Sequence, residues 1–349
     1  MMSSKTIFIA LLLLFSNAVK SQDVSFLQKQ IDSIYVKEKL IGGILIGVLD
    51  NEKRSFFTTG YAIPEDKILF DSNTIVEIGS ITKTFTAYIL SQVLQENNID
   101  ENTSIVDYLP DSVKVNESLR QISFLNLMNH TGGLPRIPKN LILSMTPYDN
   151  YELKDLYGFL KTYQVKSVGK YDYSNLGFGL AGILAERISK NTYQELLQKY
   201  IYKPFGMSKK SGFVQKAQGY FGEDKSAFWN MNCLAPAGKI QCSANDMLTY
   251  LSNISSPKKK NKFIVDSLTS QTQLINKRIQ IGRGWHIFTP KNGNKFYWHN
   301  GGTYGFSTFA AFSKNTNKGF FIVINEFNKN QILDIIGFKL IDSYLNANP

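Results

Sequence analysis

Ser80 and Lys83 lie three residues apart, at a point where the hydrophobic pattern predicts the start of a helix. Side chains three residues apart share one face of a helix, so the Lys83 amine can reach the Ser80 hydroxyl. A serine hydroxyl is a weak nucleophile until a neighbouring base takes its proton, and a lysine with a lowered pKa is such a base. The pair predicts nucleophilic attack on a carbonyl, although Ser-x-x-Lys is also common at an ordinary helix start.

Tyr173 and Asn175 form a second polar cluster, directly before another predicted helix. One interpretation is plain helix capping, with Asn175 or the serine before it as the N-cap and Tyr173 as a packing residue. The other is catalytic. In that case the Tyr173 hydroxyl moves a proton between Ser80 and the leaving group, and the Asn175 amide orients Lys83 and a substrate carbonyl.

A third cluster, containing His299, Gly301 and Gly302, ends a β-prone run near the C-terminus. The glycines allow a substrate to approach the backbone closely. The backbone N–H near Gly302 could join that of Ser80 as an oxyanion hole, while His299 hydrogen-bonds within the site. A simple glycine-rich turn is the alternative interpretation.

The elements that must position these clusters are strands at both chain ends and helices between them. The predicted strands are 43–49, 54–59, 284–288, 295–299, 306–313 and 319–325. The predicted helices are 82–95, 176–189 and 192–200. Because terminal strands need each other as partners, we predict an α+β fold. Its antiparallel sheet is built from both chain ends and flanked by helices, with a mostly helical portion at about 82–210 inserted between.

The first 21 residues have the pattern of a secretory signal peptide: a lysine, an apolar run, then small and polar residues. We predict a signal peptide at 1–21, cleaved near Ser21 and Gln22, and a single domain at 22–349. The apolar run is shorter than the roughly 20 residues of a membrane-spanning helix. The product is therefore expected to be periplasmic or secreted, with no stable membrane span.

The formal net charge of +11 predicts contact with an anionic envelope surface. Lysines and arginines are scattered, and the densest run, 258–262, is typical of a solvated loop, so nucleic-acid binding is not predicted. Cys233 and Cys242 could form a local disulfide after export or remain two small apolar side chains. No metal or other cofactor is predicted, because the three histidines are far apart and none has metal-ligand spacing.

The motifs Ser80-x-x-Lys83, Tyr173-x-Asn175 and His299-x-Gly301 stand in the order of three family signatures, and the chain resembles the serine β-lactamase-related hydrolases. This family includes class C β-lactamases, D-Ala-D-Ala carboxypeptidases, D-aminopeptidases and related esterases. The resemblance covers nearly all of the predicted mature chain. It includes similar segments at 127–135, 203–207, 235–238, 243–247 and 282–285.

The resemblance implies a β-lactamase/transpeptidase-like fold and a two-step acyl transfer without a cofactor. The implied roles are nucleophile for Ser80, proton acceptor for Lys83 and general acid/base for Tyr173. The implied substrate-binding residues are Asn175, His299, Gly301 and Gly302. His130 is expected to be structural, with its imidazole capping backbone groups.

One departure from the family pattern concerns the substrate. The β-lactamases of this fold usually carry Lys-Thr-Gly as the third motif, whereas His299 stands here in the place of the lysine. A neutral histidine offers a hydrogen bond but no cation for a substrate carboxylate. We therefore expect a D-Ala-D-Ala carboxypeptidase-like, D-aminopeptidase-like or esterase-like enzyme. Its substrate would be a cell-wall peptide, an ester or a β-lactam.

Two alternatives remain open at this stage. The first is a true class C-like β-lactamase. The second is a penicillin-binding sensor that is acylated on Ser80 without turnover. The stretches 133–150 and 213–229 are expected to shape the substrate pocket in any of these cases.

Overall fold

The computed structural model describes residues 26–346 except 143, 145, 208–214, 291–292 and 315, so the predicted signal peptide lies outside the described residues. The strands are Gly43–Asp50 (β1), Lys53–Gly60 (β2), Ile75–Glu77 (β3), Gly219–Phe221 (β4), Asp224–Ser226 (β5), Gln241–Ser243 (β6), Gln273–Leu274 (β7), Ile279–Ile281 (β8), His286–Phe288 (β9), Phe296–Gly302 (β10), Ser307–Ser313 (β11) and Lys318–Ile324 (β12). The α-helices are Phe26–Lys37 (α1), Thr82–Glu96 (α2), Asp111–Lys114 (α3), Phe124–Met128 (α4), Leu153–Thr162 (α5), Asn175–Ser189 (α6), Tyr193–Leu197 (α7), Lys203–Phe205 (α8), Ala244–Ser255 (α9), Lys262–Leu268 (α10) and Asn330–Leu340 (α11).

Eight strands form one antiparallel sheet in the order β2-β1-β12-β11-β10-β9-β8-β7. The first hairpin turns at Asn51, whose φ of 58° suits a tight turn between twisted strands. β1 then pairs with the last strand, so that Ile46 lies opposite Ile322. The sheet is therefore built from both chain ends, as predicted, because only β12 covers the open edge of the N-terminal hairpin.

Both faces of this sheet are buried, and β1 shows why. Along β1, Ile44, Ile46 and Val48 pack into the apolar cluster formed with α1 and α11. Leu45 and Leu49 belong instead to the larger cluster formed with the helical portion. A strand buried on both faces reads as a continuous apolar run, because its side chains alternate between two cores.

The helical portion centres on α2, which is buried along most of its length and packs against α6. Gly179 and Gly182 on α6 leave room for the 3-10 segment Asn232–Ala237. A Cβ atom on Gly179 would lie 2.4 Å from Leu234, and one on Gly182 would lie 2.1 Å from Pro236. This close approach holds the segment over α2 and brings its last carbonyl to the predicted catalytic lysine.

The predicted boundaries hold for most long elements, with shifts of one to three residues. The helix predicted over 192–200 was wrong in part: the α-helix ends at Leu197 and continues as the π turn Gln198–Tyr202. The helices α1, α3, α4, α5, α8, α9, α10 and α11 were not predicted. Neither were β3 to β8, because strands of two or three residues contain too few alternations for a period to be recognised.

The two cysteines are free thiols. Cys233 is half-buried, and its sulfur donates to the Tyr151 carbonyl oxygen at 3.2 Å, whereas Cys242 is buried in β6. Of the two alternatives predicted from the sequence, the one with two separate small side chains is therefore confirmed. In the part of the chain that the structure describes, no helix is long and apolar enough to cross a membrane.

Candidate active site

Ser80 lies in the 3-10 turn Gly79–Ile81 that leads directly into α2. Its hydroxyl oxygen is 3.0 Å from the Lys83 Nζ, which also donates to the Ala237 carbonyl oxygen at 2.7 Å. Lys83 is fully buried. Burial, and then the positive charge of Arg136, lower the pKa of Lys83 well below its usual range. The lowered pKa favours the uncharged amine, which can accept a proton from the hydroxyl beside it.

The backbone at Gly79 brings the third motif against the nucleophile turn. Gly79 has a φ of 52°, and a Cβ atom there would lie 2.6 Å from the Gly302 nitrogen. On the facing strand, a Cβ atom on Gly301 would lie 2.1 Å from the Ile78 carbonyl oxygen. Only glycine permits both approaches, so the backbone of β10 lies in direct contact with the turn that carries Ser80.

Tyr173 lies beside this pair at the entrance to α6. The Lys83 Nζ is 4.9 Å from the centre of the Tyr173 ring. Burial raises the pKa of Tyr173 to about 12, against the opposing effects of a hydrogen bond with Ser80 and the charge of Arg136. Tyr173 is therefore a neutral phenol near pH 7 and is suited to donate a proton rather than to act as a phenolate.

The helix-capping role falls to Ser174 and not to Asn175. The Ser174 hydroxyl accepts the Gly177 N–H at 2.8 Å, as an N-cap does. This leaves the Asn175 amide facing the site, where it lines the cavity together with Tyr148. Its Oδ1 is buried and accepts no hydrogen bond from the described residues. Asn175 therefore keeps an acceptor free for a substrate N–H, while Ala237 rather than Asn175 orients the Lys83 amine.

His299 lies fully buried on β10, behind the surface of the site rather than on it. Its Nδ1 is 2.5 Å from the Asn300 carbonyl oxygen, and its ring centre is 5.1 Å from that of His286. His286 Nε2 is 3.0 Å from the Tyr171 hydroxyl. Burial lowers the pKa of His286 to about 4 and that of His299 well below its usual range. Both imidazoles are therefore neutral near pH 7.

His130 also reaches this cluster, from the loop after α4. Its Nδ1 accepts the Ser174 N–H at 3.0 Å, and its ring stacks on Tyr173 with centres 4.3 Å apart. Burial lowers the pKa of His130 well below its usual range. The imidazole caps a backbone group, as the family resemblance implied. The convergence of three distant histidines around Tyr171 and Tyr173 has no signal in their sequence spacing.

Glu77 is a buried carboxyl group just before the nucleophile turn. It accepts the Trp229 N–H at 2.5 Å and the Thr303 hydroxyl at 2.7 Å. Burial raises the pKa of Glu77 to about 7, although both hydrogen bonds and the charge of Lys216 lower it. Glu77 therefore ties the loop that carries Trp229 to the segment just after the third motif.

A cavity of about 590 Å³ opens onto these groups. Of the residues predicted from the sequence, five line it: Ser80, Tyr173, Asn175, Gly301 and Gly302. Lys83 and His299 lie beneath its surface. The stretches expected to shape the pocket contribute Arg136, Tyr148 and Trp229. Sequence reasoning named none of these three individually, because no spacing rule connects them to the motifs.

Another cavity, of about 600 Å³, lies elsewhere and is lined by residues such as Tyr193, Tyr202 and Cys242. It contains none of the predicted site residues. The described residues also contain no group of three or more histidine, cysteine or carboxylate side chains arranged to hold a metal ion. The chemistry that these side chains can perform is therefore concentrated in the cavity at Ser80.

Comparison with known proteins gives one consistent result. Residues 29–336 match the family model described as Beta-lactamase. The chain is 28% identical to a β-lactamase of Providencia stuartii, over 64% of this chain and 59% of that protein. It is 24% identical to the D-alanyl-D-alanine-carboxypeptidase/endopeptidase AmpH of Escherichia coli, over 81% of this chain and 79% of that protein. A class C β-lactamase structure superposes with a TM-score of 0.79 and 21% identity, over 94% of this chain and 98% of that one.

The fold and the family model define the class of the protein, a β-lactamase-related serine hydrolase. The chain belongs to the β-lactamase family, since the family model covers most of its length. The predicted fold class and the family resemblance are both confirmed. The match spans 59% of the Providencia enzyme, so the activity in that enzyme's name is not carried over with the likeness.

Proposed function

We propose that this chain is an exported serine hydrolase that cleaves an amide or ester bond through an acyl-enzyme on Ser80. Its nearest functional type is a D-Ala-D-Ala carboxypeptidase, a D-aminopeptidase or a related esterase. The observation that carries the proposal is the 3.0 Å contact between the Ser80 hydroxyl and the Lys83 amine. The burial that lowers the pKa of this amine makes the contact a route for proton transfer.

In the acylation step, Lys83 accepts the Ser80 proton while the serine oxygen attacks the substrate carbonyl. The resulting oxyanion accepts hydrogen bonds from the backbone N–H groups of Ser80 and Gly302, which lie in one space because of Gly79. Tyr173 donates its proton to the leaving group as the carbonyl re-forms, and the proton held by Lys83 replaces it. The leaving amine or alcohol departs neutral, with all protons accounted for.

In the second step, water attacks the acyl-enzyme and the same groups work in reverse. A proton from water passes through Tyr173 and Lys83 and returns to the Ser80 oxygen as the acid is released. Asn175 holds the acyl portion in place with its free Oδ1. Neutral His299 supports the strand from behind and provides no cation, which supports the peptidase and esterase types over an efficient β-lactamase.

Export is part of this proposal and rests on the signal-peptide pattern of the first 21 residues. Cell-wall peptides would then be available as substrates, and the positive net charge favours contact with anionic envelope polymers. The name of the Escherichia coli relative, a D-alanyl-D-alanine-carboxypeptidase/endopeptidase, points to the same substrate class.

The test is intact-protein mass spectrometry of the mature chain and of Ser80→Ala. Both proteins are incubated with a penicillin, a diacetyl-Lys-D-Ala-D-Ala peptide and a short-chain aryl ester, and product release is followed in parallel. We expect adducts or turnover with the unaltered chain and none with Ser80→Ala, whose melting temperature serves as the control for folding. Reaction of Ser80→Ala equal to that of the unaltered chain would contradict the proposal, as would the absence of any reaction.

The substrate that turns over separates the functional types. Peptide turnover identifies a carboxypeptidase, ester turnover alone an esterase, and rapid penicillin turnover a β-lactamase. A stable penicillin adduct without product release from any substrate identifies a sensor.

A further inference from the structure

Arg136 is an exposed side chain at the edge of the cavity that contains Ser80. Its guanidinium carbon is 5.0 Å from the centre of the Tyr173 ring. Among the described residues, no carboxylate forms an ion pair with this guanidinium, although many other basic side chains of the protein have such partners. Arg136 thus presents its hydrogen-bond donors to the cavity without an internal acceptor for them.

The position of Arg136 is fixed by its backbone. Its carbonyl oxygen accepts the Asn175 N–H at 2.9 Å. The preceding carbonyl, of Pro135, accepts the Ser174 hydroxyl at 2.7 Å, and the Gly133 carbonyl accepts the Tyr163 hydroxyl at 2.8 Å. The loop is therefore tied to the start of α6. The backbone of Arg136 therefore keeps its place relative to Tyr173, unlike that of an arginine on a free surface loop.

The charge of the cavity depends on this one residue. Of the described residues that line it, Arg136 is the only one with a charged side chain, and no aspartate or glutamate is among them. His299, at the position where related β-lactamases carry a lysine, is buried and cannot serve as a second cation. An anionic part of a substrate would therefore find its only cationic partner on the loop before α6 and not on β10.

We propose that Arg136 binds a substrate carboxylate located on the leaving-group side of the scissile bond. This inference rests on the proposed function and narrows its substrate class to peptides with a free C-terminal carboxylate, in preference to neutral esters. In such a peptide, one carbon atom separates the leaving nitrogen from the carboxylate. Tyr173 is the proposed proton donor to that nitrogen, so a guanidinium beside the Tyr173 ring lies where the carboxylate must be. The planar guanidinium suits two parallel hydrogen bonds to a carboxylate.

The test compares two substrates that differ only at this group: diacetyl-Lys-D-Ala-D-Ala as the free acid and as its C-terminal amide. We expect kcat/KM for the acid to exceed that for the amide in the unaltered chain. Arg136→Gln should lower kcat/KM for the acid by about tenfold or more, because a charge-assisted hydrogen bond is lost. It should lower kcat/KM for the amide and for an aryl ester by much less. Arg136→Lys should restore part of the preference for the acid over the amide.

Lys139→Gln is the matched control, because Lys139 is an exposed cation of the same loop that does not line the cavity. It should leave the preference for the acid unchanged. Equal losses on acid and amide in Arg136→Gln would overturn the inference, since Arg136 would then act only through the pKa of Lys83 or Tyr173. The proposed function fails separately, if the unaltered chain reacts with none of the three substrates or if Ser80→Ala still reacts.

Discussion

The two walls of the catalytic cavity are built on different principles. The helical wall, formed by α2, α6 and the residues that lead into them, carries the nucleophile Ser80, the proposed proton-transfer groups Lys83 and Tyr173, and the substrate-binding Asn175. The strand wall, formed by β10, carries the groups that act through backbone and shape: His299, Gly301 and Gly302. On the helical wall, burial lowers the pKa of Lys83. On the strand wall, the absence of side chains at Gly301 and Gly302 permits close backbone contact with the turn that carries Ser80. Chemistry and shape are therefore supplied by different walls of the same cavity.

The largest effect is expected on the helical wall, from Lys83→Met. Loss of the amine beside Ser80 should slow acylation by about 10³-fold, the middle of the usual range for a general base. The melting temperature should not fall, because removing a buried amine also removes its desolvation cost. Stopped-flow acylation and thermal unfolding measure the two effects, with Lys139→Met as the control for charge. Acylation within about threefold of the unaltered rate would show that another group accepts the proton.

The next largest effect is expected on the strand wall, from Gly301→Ala. Its new Cβ atom would lie 2.1 Å from the Ile78 carbonyl oxygen and 2.4 Å from the Thr308 hydroxyl, so the strand must move away from Ser80. We expect about a hundredfold loss of acylation, comparable to removal of one oxyanion donor, together with a lower melting temperature.

Gly302→Ala is the matched control for this substitution. Its Cβ atom would first meet the Asn330 side-chain oxygen at 3.0 Å, and that side chain can shift. The loss of acylation should therefore be much smaller than for Gly301→Ala. Equal losses in the two variants would mean that the close approach at Gly301 does not set the geometry of the site.

A third prediction concerns Glu77, which connects the loop that carries Trp229 to Thr303, directly after the strand wall. Its pKa is raised from about 4.5 in the unfolded chain to about 7, so folding takes up a proton between these values. The resulting stabilisation is complete below about pH 4.5 and is lost as the pH rises through about 7. Glu77→Gln is neutral at every pH and can still accept the Trp229 N–H.

Thermal unfolding between about pH 5 and pH 8 checks this prediction, with an expected difference of roughly 1–3 kcal/mol over that interval. The melting temperature of the unaltered chain should fall more steeply with rising pH than that of Glu77→Gln. Parallel curves for the two proteins would show that Glu77 titrates in its ordinary range.

The smallest effect is expected from His299→Gln. The imidazole is buried and neutral, so it should contribute packing and one hydrogen bond but no proton transfer. We expect a loss of less than about tenfold in kcat/KM, in line with one ordinary hydrogen bond. The pH profile between about pH 6 and pH 8 should keep its shape. Disappearance of one limb of that profile would assign a catalytic proton to His299 and remove the distinction between the two walls.

Much of the fold and part of the site could be predicted from local patterns. Short β-prone runs separated by turn residues predicted the strands at both chain ends, and the need for strand partners then predicted that the ends meet in one sheet. The spacing of Ser80 and Lys83 predicted their contact, because helix geometry places residues three apart on one face. The helices α1 and α11, which were not predicted, cover the face of the sheet opposite the helical portion. Their burial depends on strands that are distant from them in the sequence.

The sequence by itself therefore determined the local elements, the helical face that joins Ser80 to Lys83 and the family to which the chain belongs. Only the tertiary structure decided which groups surround that pair. The Ala237 carbonyl that holds the amine, and the guanidinium of Arg136 beside Tyr173, arrive through packing between segments far apart in the chain. The low pKa of Lys83 is likewise a tertiary property, because desolvation depends on every element that closes over the amine and not on its neighbours in sequence.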